Sequence, residues 1–147
     1  MSLEFINEVK EALKSCGCDT VSLEASINKL YMFPCFSNCV DLAAALTVLI
    51  LPTGVNLLKY CEGLRERKQK EYAGISKDRF RNFRPVFGFE AGKSKSDILL
   101  GYAAKHAKSL LQIINCLEEQ PPKIWVEKAA DLFTYCWILT ELNAEGD

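Results

Sequence analysis

The sequence lacks the short motifs that mark the commonest phosphate-binding and hydrolytic sites. It contains no glycine-rich phosphate loop, no HExxH motif and no GxSxG motif, and no segment is repeated. These absences exclude P-loop nucleotide enzymes, HExxH zinc peptidases, GxSxG serine hydrolases and repeat architectures. Strand-based nucleotide folds are also disfavoured, because every clear pattern in the chain is helical.

The chain also has little net charge and a single histidine. Its 18 basic and 19 acidic residues leave a net charge of −1, so the overall balance favours neither nucleic acid nor a membrane as a partner. With only His106 available, neither the CGC nor the CFSNC motif finds the second half of a zinc site. We predict reduced, mainly buried cysteines in a cytoplasmic protein, because residues 1–14 form a mixed-charge amphipathic helix rather than a signal peptide.

The spacing of apolar residues predicts an all-α protein. Apolar side chains recur three and four residues apart, which places them on one face of a helix. We predict a single bundle of about five to seven helices, in which N-terminal helices in 1–52 pack on the region 53–147. The predicted helices cover residues 2–15, 22–31, 38–51, 53–72, 94–117 and 121–144. The residues predicted to cap them are Ser2, Ser22, Asn38, Thr53 and Ser94, and Pro121 and Pro122 suit the first turn of the last helix.

The most apolar segment is 38–51, NCVDLAAALTVLIL. It is apolar nearly all round, which is typical of a central, buried helix. Its length is too short to span a bilayer and it carries Asp41, so no membrane partner is predicted.

Two pairs of acidic residues have the spacing of one helical turn. Glu127 and Asp131 lie on one face of the last predicted helix, and Glu62 and Glu66 repeat the pattern earlier in the chain. Like charges at this spacing repel each other, whereas a divalent cation would use both carboxylates. The alternative is that both pairs are solvated acids, with Lys128 beside the second pair.

Charge is strongly separated along the chain. Residues 65–84 contain eight basic and three acidic side chains, whereas residues 112–147 contain two basic and seven acidic ones. A basic arm beside acidic metal ligands is the layout expected around a phosphate-bearing ligand. The same layout would arise if the basic helix end simply docked on the acidic helix.

A turn-rich connection of about twenty residues precedes the helix predicted at 94–117. Aromatic residues interleave there with Arg79, Arg81 and Arg84, a pattern that is compatible with stacking on a base or on single-stranded nucleic acid. More often, aromatic side chains in such a connection attach it to the core. The net charge of −1 makes nucleic acid the least favoured partner.

Four short motifs, in order, resemble the phage and bacterial family called nucleotide modification associated domain. Members show a Lys-x-x-x-Tyr stretch, an Asp followed by Asn-Phe, a Lys-His pair in a helix, and a Glu-x-x-x-Asp helix with a later Tyr. The matching residues here are Lys68, Tyr72, Asp78, Asn82, Phe83, Lys105, His106, Glu127, Asp131 and Tyr135. The resemblance covers residues 57–142 and leaves the first part of the chain outside it.

This family is similar in layout to the all-α nucleotide pyrophosphohydrolases of the MazG and dUTPase type. Those enzymes bind Mg²⁺ through an ExxE helix and an ExxD helix and cleave the α–β phosphate link of nucleoside triphosphates. The resemblance implies Mg²⁺-dependent binding of a nucleotide or nucleoside phosphate, with hydrolysis as its enzymatic form. Both acid pairs here are one residue wider than in those enzymes, which keeps one helix face but leaves turnover open.

The resemblance and the acid pairs together assign roles to twelve residues. The predicted metal ligands are Glu62, Glu66, Glu127 and Asp131, and the last three also form the predicted catalytic set. The residues predicted to bind the phosphate, sugar or base are Lys68, Lys70, Tyr72, Arg79, Arg81, Asn82, Lys105 and His106. The competing hypothesis is a non-catalytic protein–protein interaction module, with the apolar face of 40–51 as a dimer seam; a homodimer is compatible with either function.

Overall fold

A computed structural model describes residues 2–15, 20–72, 83, 85, 88–115 and 120–145. Within these ranges the chain forms six α-helices, two short 3₁₀ turns at Leu51–Thr53 and Gly88–Glu90, and no strand. The helices are α1 (Leu3–Leu13), α2 (Thr20–Met32), α3 (Phe36–Ile50), α4 (Leu57–Tyr72), α5 (Lys95–Asn115) and α6 (Pro122–Glu145). The prediction of an all-α bundle of five to seven helices is therefore confirmed.

Helix α3 lies at the centre of the bundle. It packs against α1, α2 and α6, and most of its side chains are buried. The window Phe36–Thr53 is long and apolar enough to cross a membrane, but 56% of it is buried inside the protein, which is the pattern of a core helix. The dimer seam proposed for residues 40–51 is therefore wrong, because this face already forms the core.

Helices α5 and α6 run antiparallel along one side of this core. The Ser96 hydroxyl donates to Asn143 Oδ1 at 3.5 Å near one end, and His106 Nδ1 lies 3.3 Å from Asp131 Oδ2 near the middle. As residue numbers rise along α5 they fall along α6, which fixes the register of the pair. Asn143 also donates from Nδ2 to the carbonyl oxygen of Pro34 at 3.0 Å and so ties the end of α6 to the α2–α3 turn.

Two of the predicted helix caps are confirmed. The hydroxyl of Ser2 accepts a bond from the Phe5 amide at 3.2 Å, and that of Ser94 accepts one from the Asp97 amide at 3.1 Å. Each bond satisfies an N–H group in the first helical turn that has no partner within the helix.

Three other predicted caps are wrong. Ser22 lies in the first turn of a helix that begins at Thr20, because serine suits either position and the pattern does not separate them. Asn38 is buried two residues inside α3, where its Nδ2 donates to Phe33 O at 2.8 Å and closes the end of α2. Thr53 donates to Ile50 O at 2.6 Å within the 3₁₀ turn, and Asn56 accepts from the Lys59 amide at 3.3 Å instead.

The four described cysteines are free thiols, three of them buried as predicted and Cys35 exposed. Burial raises the pKa of Cys39 and of Cys61 to about 12, and it raises that of Cys136 well above its ordinary range. Electrostatic interaction with Cys39 and with Cys61 also raises the pKa of Cys136 of α6. The three buried thiols are therefore neighbours where α3, α4 and α6 meet. They act as small apolar side chains in the core.

Candidate functional site

The candidate site lies where the middle of α5 faces the first half of α6. The 3.3 Å approach of His106 Nδ1 to Asp131 Oδ2 brings together two residues that are 25 positions apart in the chain. One turn further along α6, the ring of Tyr135 lies 5.3 Å from the imidazole, tilted by 34°. The Lys-His motif of α5 and the Glu-x-x-x-Asp motif of α6 therefore meet in one place.

An aromatic cluster continues from this contact. Phe83 is buried and meets Tyr135 edge-on at a centroid distance of 6.4 Å, and it meets Tyr102 at 6.1 Å. Tyr102 precedes His106 by one turn of α5, just as Asp131 precedes Tyr135 by one turn of α6. Phe83 thus attaches its part of the connection to the core, as one of the two sequence alternatives predicted.

Helix α4 closes the inner side of the site. Cys61 Sγ approaches the carbonyl oxygen of Ala130 at 4.0 Å, and Thr134 donates to the same oxygen at 2.8 Å. Burial is the main cause of the raised pKa of Cys61; a hydrogen bond with Thr134 lowers it and the charge of Asp131 raises it. The pKa of Tyr135 is also raised, chiefly by burial and then by Asp131. Asp131 therefore interacts electrostatically with Cys61 in the core and with Tyr135 in the aromatic cluster.

The predicted metal ligands on α6 are accessible. The side chains of Glu127 and Asp131 are each half exposed, and Lys123 Nζ lies 4.0 Å from Glu127 Oε1. Glu62 of α4 is partly buried. In the part of the chain that the structure describes, no group of three or more His, Cys, Asp or Glu side chains is placed to hold a metal ion. Glu62, Glu127 and Asp131 therefore do not form a three-ligand cluster.

The remaining predicted residues divide into three groups. Lys105 is exposed on α5 next to His106. The backbones of Glu66, Lys68, Lys70 and Tyr72 belong to the second half of α4, but their side chains lie outside the description. Residues Asp78, Arg79, Arg81, Asn82 and Arg84 lie outside the described residues altogether.

Sequence reasoning missed Tyr102 and Cys61 as members of this site. The signal for Tyr102 was its spacing of four from His106, which matches the spacing of Asp131 and Tyr135 on the facing helix. Cys61 gave no such signal, because its place beside Ala130 depends on how α4 packs on α6.

A concavity of about 330 Å³ lies between α1 and α3, away from the α5–α6 site. Phe36 and Val40 contribute apolar surface, and Glu8, Glu11 and Asp41 contribute carboxylates. Two of these acids already face lysines within the protein: Glu11 lies 2.7 Å from Lys14 Nζ, and Asp41 lies 3.9 Å from Lys29 Nζ. This groove lacks the histidine and the aromatic cluster of the α5–α6 site.

Comparisons with known proteins identify no relative. No protein-family model, curated protein or solved structure matches the chain. The resemblance to the nucleotide modification associated domain family stays a prediction, and the functional argument depends on the geometry of the site itself.

Proposed function

We propose that this protein binds a nucleotide or nucleoside phosphate on the α5–α6 surface around His106 and Asp131. The observation that carries the proposal is the 3.3 Å contact between these two side chains. It joins two motifs that the sequence had singled out separately, with the exposed Lys105 next to His106 in the sequence and an aromatic ring against the imidazole. Cationic or hydrogen-bonding groups beside an aromatic surface suit a ligand with a phosphate at one end and a flat base at the other.

The charge around this surface supports a phosphate. Lys105 is exposed and adjacent to His106 in sequence, so its ammonium group is available to an anion. Helix α4, which approaches α6 at Ala130, carries Lys68 and Lys70 in its second half. The proposal assigns these lysines, together with Arg79, Arg81 and Asn82, to the phosphate and sugar of the ligand.

Magnesium fits the acidic side of the same surface by donor type. Mg²⁺ prefers carboxylate oxygens and keeps several waters, and it is commonly held by one or two carboxylates together with the phosphates of the ligand. Glu127 and Asp131 are half exposed and one turn apart, so they would hold an ion that arrives with a nucleotide. Such an ion would neutralise phosphate charge and activate a water. Pyrophosphohydrolysis in the cytoplasm is the enzymatic form of this proposal.

Thermal unfolding with a panel of nucleoside mono-, di- and triphosphates, each with and without Mg²⁺, tests the proposal. A ligand at a hundredfold its dissociation constant should stabilise the protein by about 2.7 kcal/mol. Asp131→Asn should abolish the Mg²⁺-dependent part of this stabilisation. Asp41→Asn is a matched control, because Asp41 is equally exposed and also faces a basic side chain, but on α3.

Two outcomes would contradict the proposal. If no nucleotide raises the unfolding temperature, the protein does not bind this class of ligand. If Asp131→Asn and Asp41→Asn respond to nucleotide and Mg²⁺ alike, Asp131 is not a metal ligand, and the metal part of the proposal falls.

A protein–protein interaction module is the second candidate function. Met32 and Phe33 are 70% and 63% exposed at the α2–α3 turn, which places two large apolar side chains side by side in solvent. Light scattering during size-exclusion chromatography would reveal self-association. Met32→Ser with Phe33→Ser should then shift a dimer to the monomer, while nucleotide binding at the α5–α6 site is unchanged.

A further inference from the structure

Tyr102 is the exposed member of the aromatic cluster. Its residue surface is 44% exposed, whereas Phe83 is 8% exposed and the His106 side chain is 23% exposed. Among the residues that the structure describes, most aromatic side chains are at least partly buried, so an exposed ring beside a candidate ligand site requires an explanation.

We infer that Tyr102 is the stacking surface for a nucleobase, so that the ligand class is a base-bearing nucleoside phosphate rather than inorganic polyphosphate or a sugar phosphate. This inference rests on the proposed function and specifies which end of the ligand gives selectivity. Aromatic rings bind any base by its π-face, so stacking selects for the presence of a base and only weakly for its identity.

The described ring that contacts Tyr102 does not stack on it in parallel. Phe83 contacts Tyr102 at an angle of 49°, which is a tilted approach rather than a parallel stack. Phe83 is in turn held edge-on by Tyr135, with an interplanar angle of 71°. Tyr102 is therefore in contact with the buried Phe83 while 44% of its surface stays exposed, which is the combination expected of a ring that receives a base.

The position of Tyr102 along α5 matches the two ends of a nucleotide. Lys105 and His106 lie three and four residues after Tyr102, so all three side chains are surface neighbours about one helical turn apart. A phosphate held by Lys105 and His106 would place its ribose alongside α5 and its base over Tyr102. The site thus offers a cation and an aromatic face at a separation that a single nucleoside phosphate can bridge.

Calorimetric titration of two matched ligands tests this inference. The probes are the nucleoside triphosphate that stabilises the protein most and inorganic tripolyphosphate, both with Mg²⁺, because tripolyphosphate has the phosphates without the base. Three variants separate the ring from its bulk. Tyr102→Ala removes the ring and its bulk, Tyr102→Phe keeps the ring without the hydroxyl group, and Tyr102→Leu keeps much of the bulk without a ring. Phe33→Ala is the control, since it removes another exposed ring at the α2–α3 turn.

We expect Tyr102→Ala and Tyr102→Leu to weaken nucleotide binding about 5- to 150-fold, the usual effect of losing one stacked base. Their affinity for tripolyphosphate should not change. Tyr102→Phe and Phe33→Ala should bind the nucleotide like the wild-type protein. If Tyr102→Ala does not fold, Tyr102→Leu decides the question, because it preserves most of the contact with Phe83.

Failure of the inference differs from failure of the proposed function. If the wild-type protein binds tripolyphosphate as tightly as the nucleotide, or if Tyr102→Leu loses affinity for both probes equally, the stacking role is overturned and phosphate binding stands. If the wild-type protein binds neither probe, the proposed site itself is overturned and the stacking role with it.

Discussion

Helices α3 and α6 both contribute much of the core, but they use their polar residues differently. On α3, Asn38 bonds the end of α2, Thr47 donates to Ala43 O at 2.8 Å within its own helix, and Asp41 faces Lys29. Each described bond of these side chains joins α3 to itself or to α2. The polar residues of α3 therefore maintain the fold.

Helix α6 carries an additional row of polar residues that lies outside its fully buried face. Glu127, Asp131 and Tyr135 follow one another at single-turn spacing, and the two acids are half exposed. The same helix also has structural bonds, such as the 3.0 Å bond from Trp137 Nε1 to Glu141 Oε1. Substitutions of polar residues in α3 should therefore lower the stability of the protein. Substitutions in the exposed polar row of α6 should instead weaken ligand binding with little effect on stability. Four predictions, ordered by the size of the expected effect on stability, examine this difference.

The largest expected effect is a loss of stability at alkaline pH. It originates from the buried thiols that lie where α3, α4 and α6 meet. The pKa of Cys39 and of Cys61 is about 12 in the folded protein, against an ordinary value of 9.0. Because the unfolded chain ionises first, the folded state is fully stable below about pH 9 and loses stability as the pH rises towards 12. Each thiol contributes a slope of about 1.4 kcal/mol per pH unit, which urea denaturation from pH 7 to 10.5 under reducing conditions would measure.

Cys39→Ala provides the check on this slope. The variant removes one buried thiol, so the fall in free energy of unfolding per pH unit should become shallower by about 1.4 kcal/mol. Its stability at pH 7 does not matter for the test. An identical slope in the variant and the wild-type protein would show that this thiol does not drive alkaline unfolding.

The next largest effect concerns the apolar face of α3. Leu46 is fully buried, so Leu46→Ala should lower the free energy of unfolding by about 2–5 kcal/mol through lost burial and the cavity left behind. Leu51→Ala is the control, because Leu51 is 51% exposed, and it should change stability by less than about 0.5 kcal/mol. Similar losses in both variants would show that α3 is not the centre of the core.

A smaller loss is expected from the polar side of α3. Asn38→Ala removes the buried Asn38 amide and its 2.8 Å bond to the carbonyl oxygen of Phe33, which should cost about 1–3 kcal/mol. Asn143→Ala removes an exposed side chain with its 3.0 Å bond to Pro34 O and its long 3.5 Å contact with Ser96, and it should cost about 1 kcal/mol or less. Chemical denaturation of both variants compares them; an equal cost would mean that Asn38 has no special role in closing α2.

The sequence predicted the helices well but their ends and contacts less well. Apolar periodicity is local, so it located α6 to within one residue at each end. Capping is ambiguous, because Asn38 has the chemistry of an N-cap and is instead used by the preceding helix.

The candidate site was predictable in part for the same reason. The pairs Lys105–His106 and Glu127–Asp131 were visible as motifs, because each lies within one helix. That His106 faces Asp131, and that Tyr102 joins Tyr135 through Phe83, depends on the register between α5 and α6. Register arises from packing over whole helices and leaves no local signal in the sequence.

The smallest effect on stability should come from the contact that defines the site. A double-mutant cycle with His106→Asn and Asp131→Asn, without ligand, should give a coupling energy for folding of about 0.2–1 kcal/mol, because a histidine–carboxylate contact that is partly exposed to solvent contributes little. The same single variants should strongly weaken binding of the Mg²⁺–nucleotide complex, measured by calorimetry. A coupling well above 1 kcal/mol, combined with unchanged nucleotide binding, would place His106 and Asp131 with the structural polar residues of α3. Weak coupling with lost binding is the result that separates α6 from α3, because a contact of little value to the fold would then be needed for the ligand.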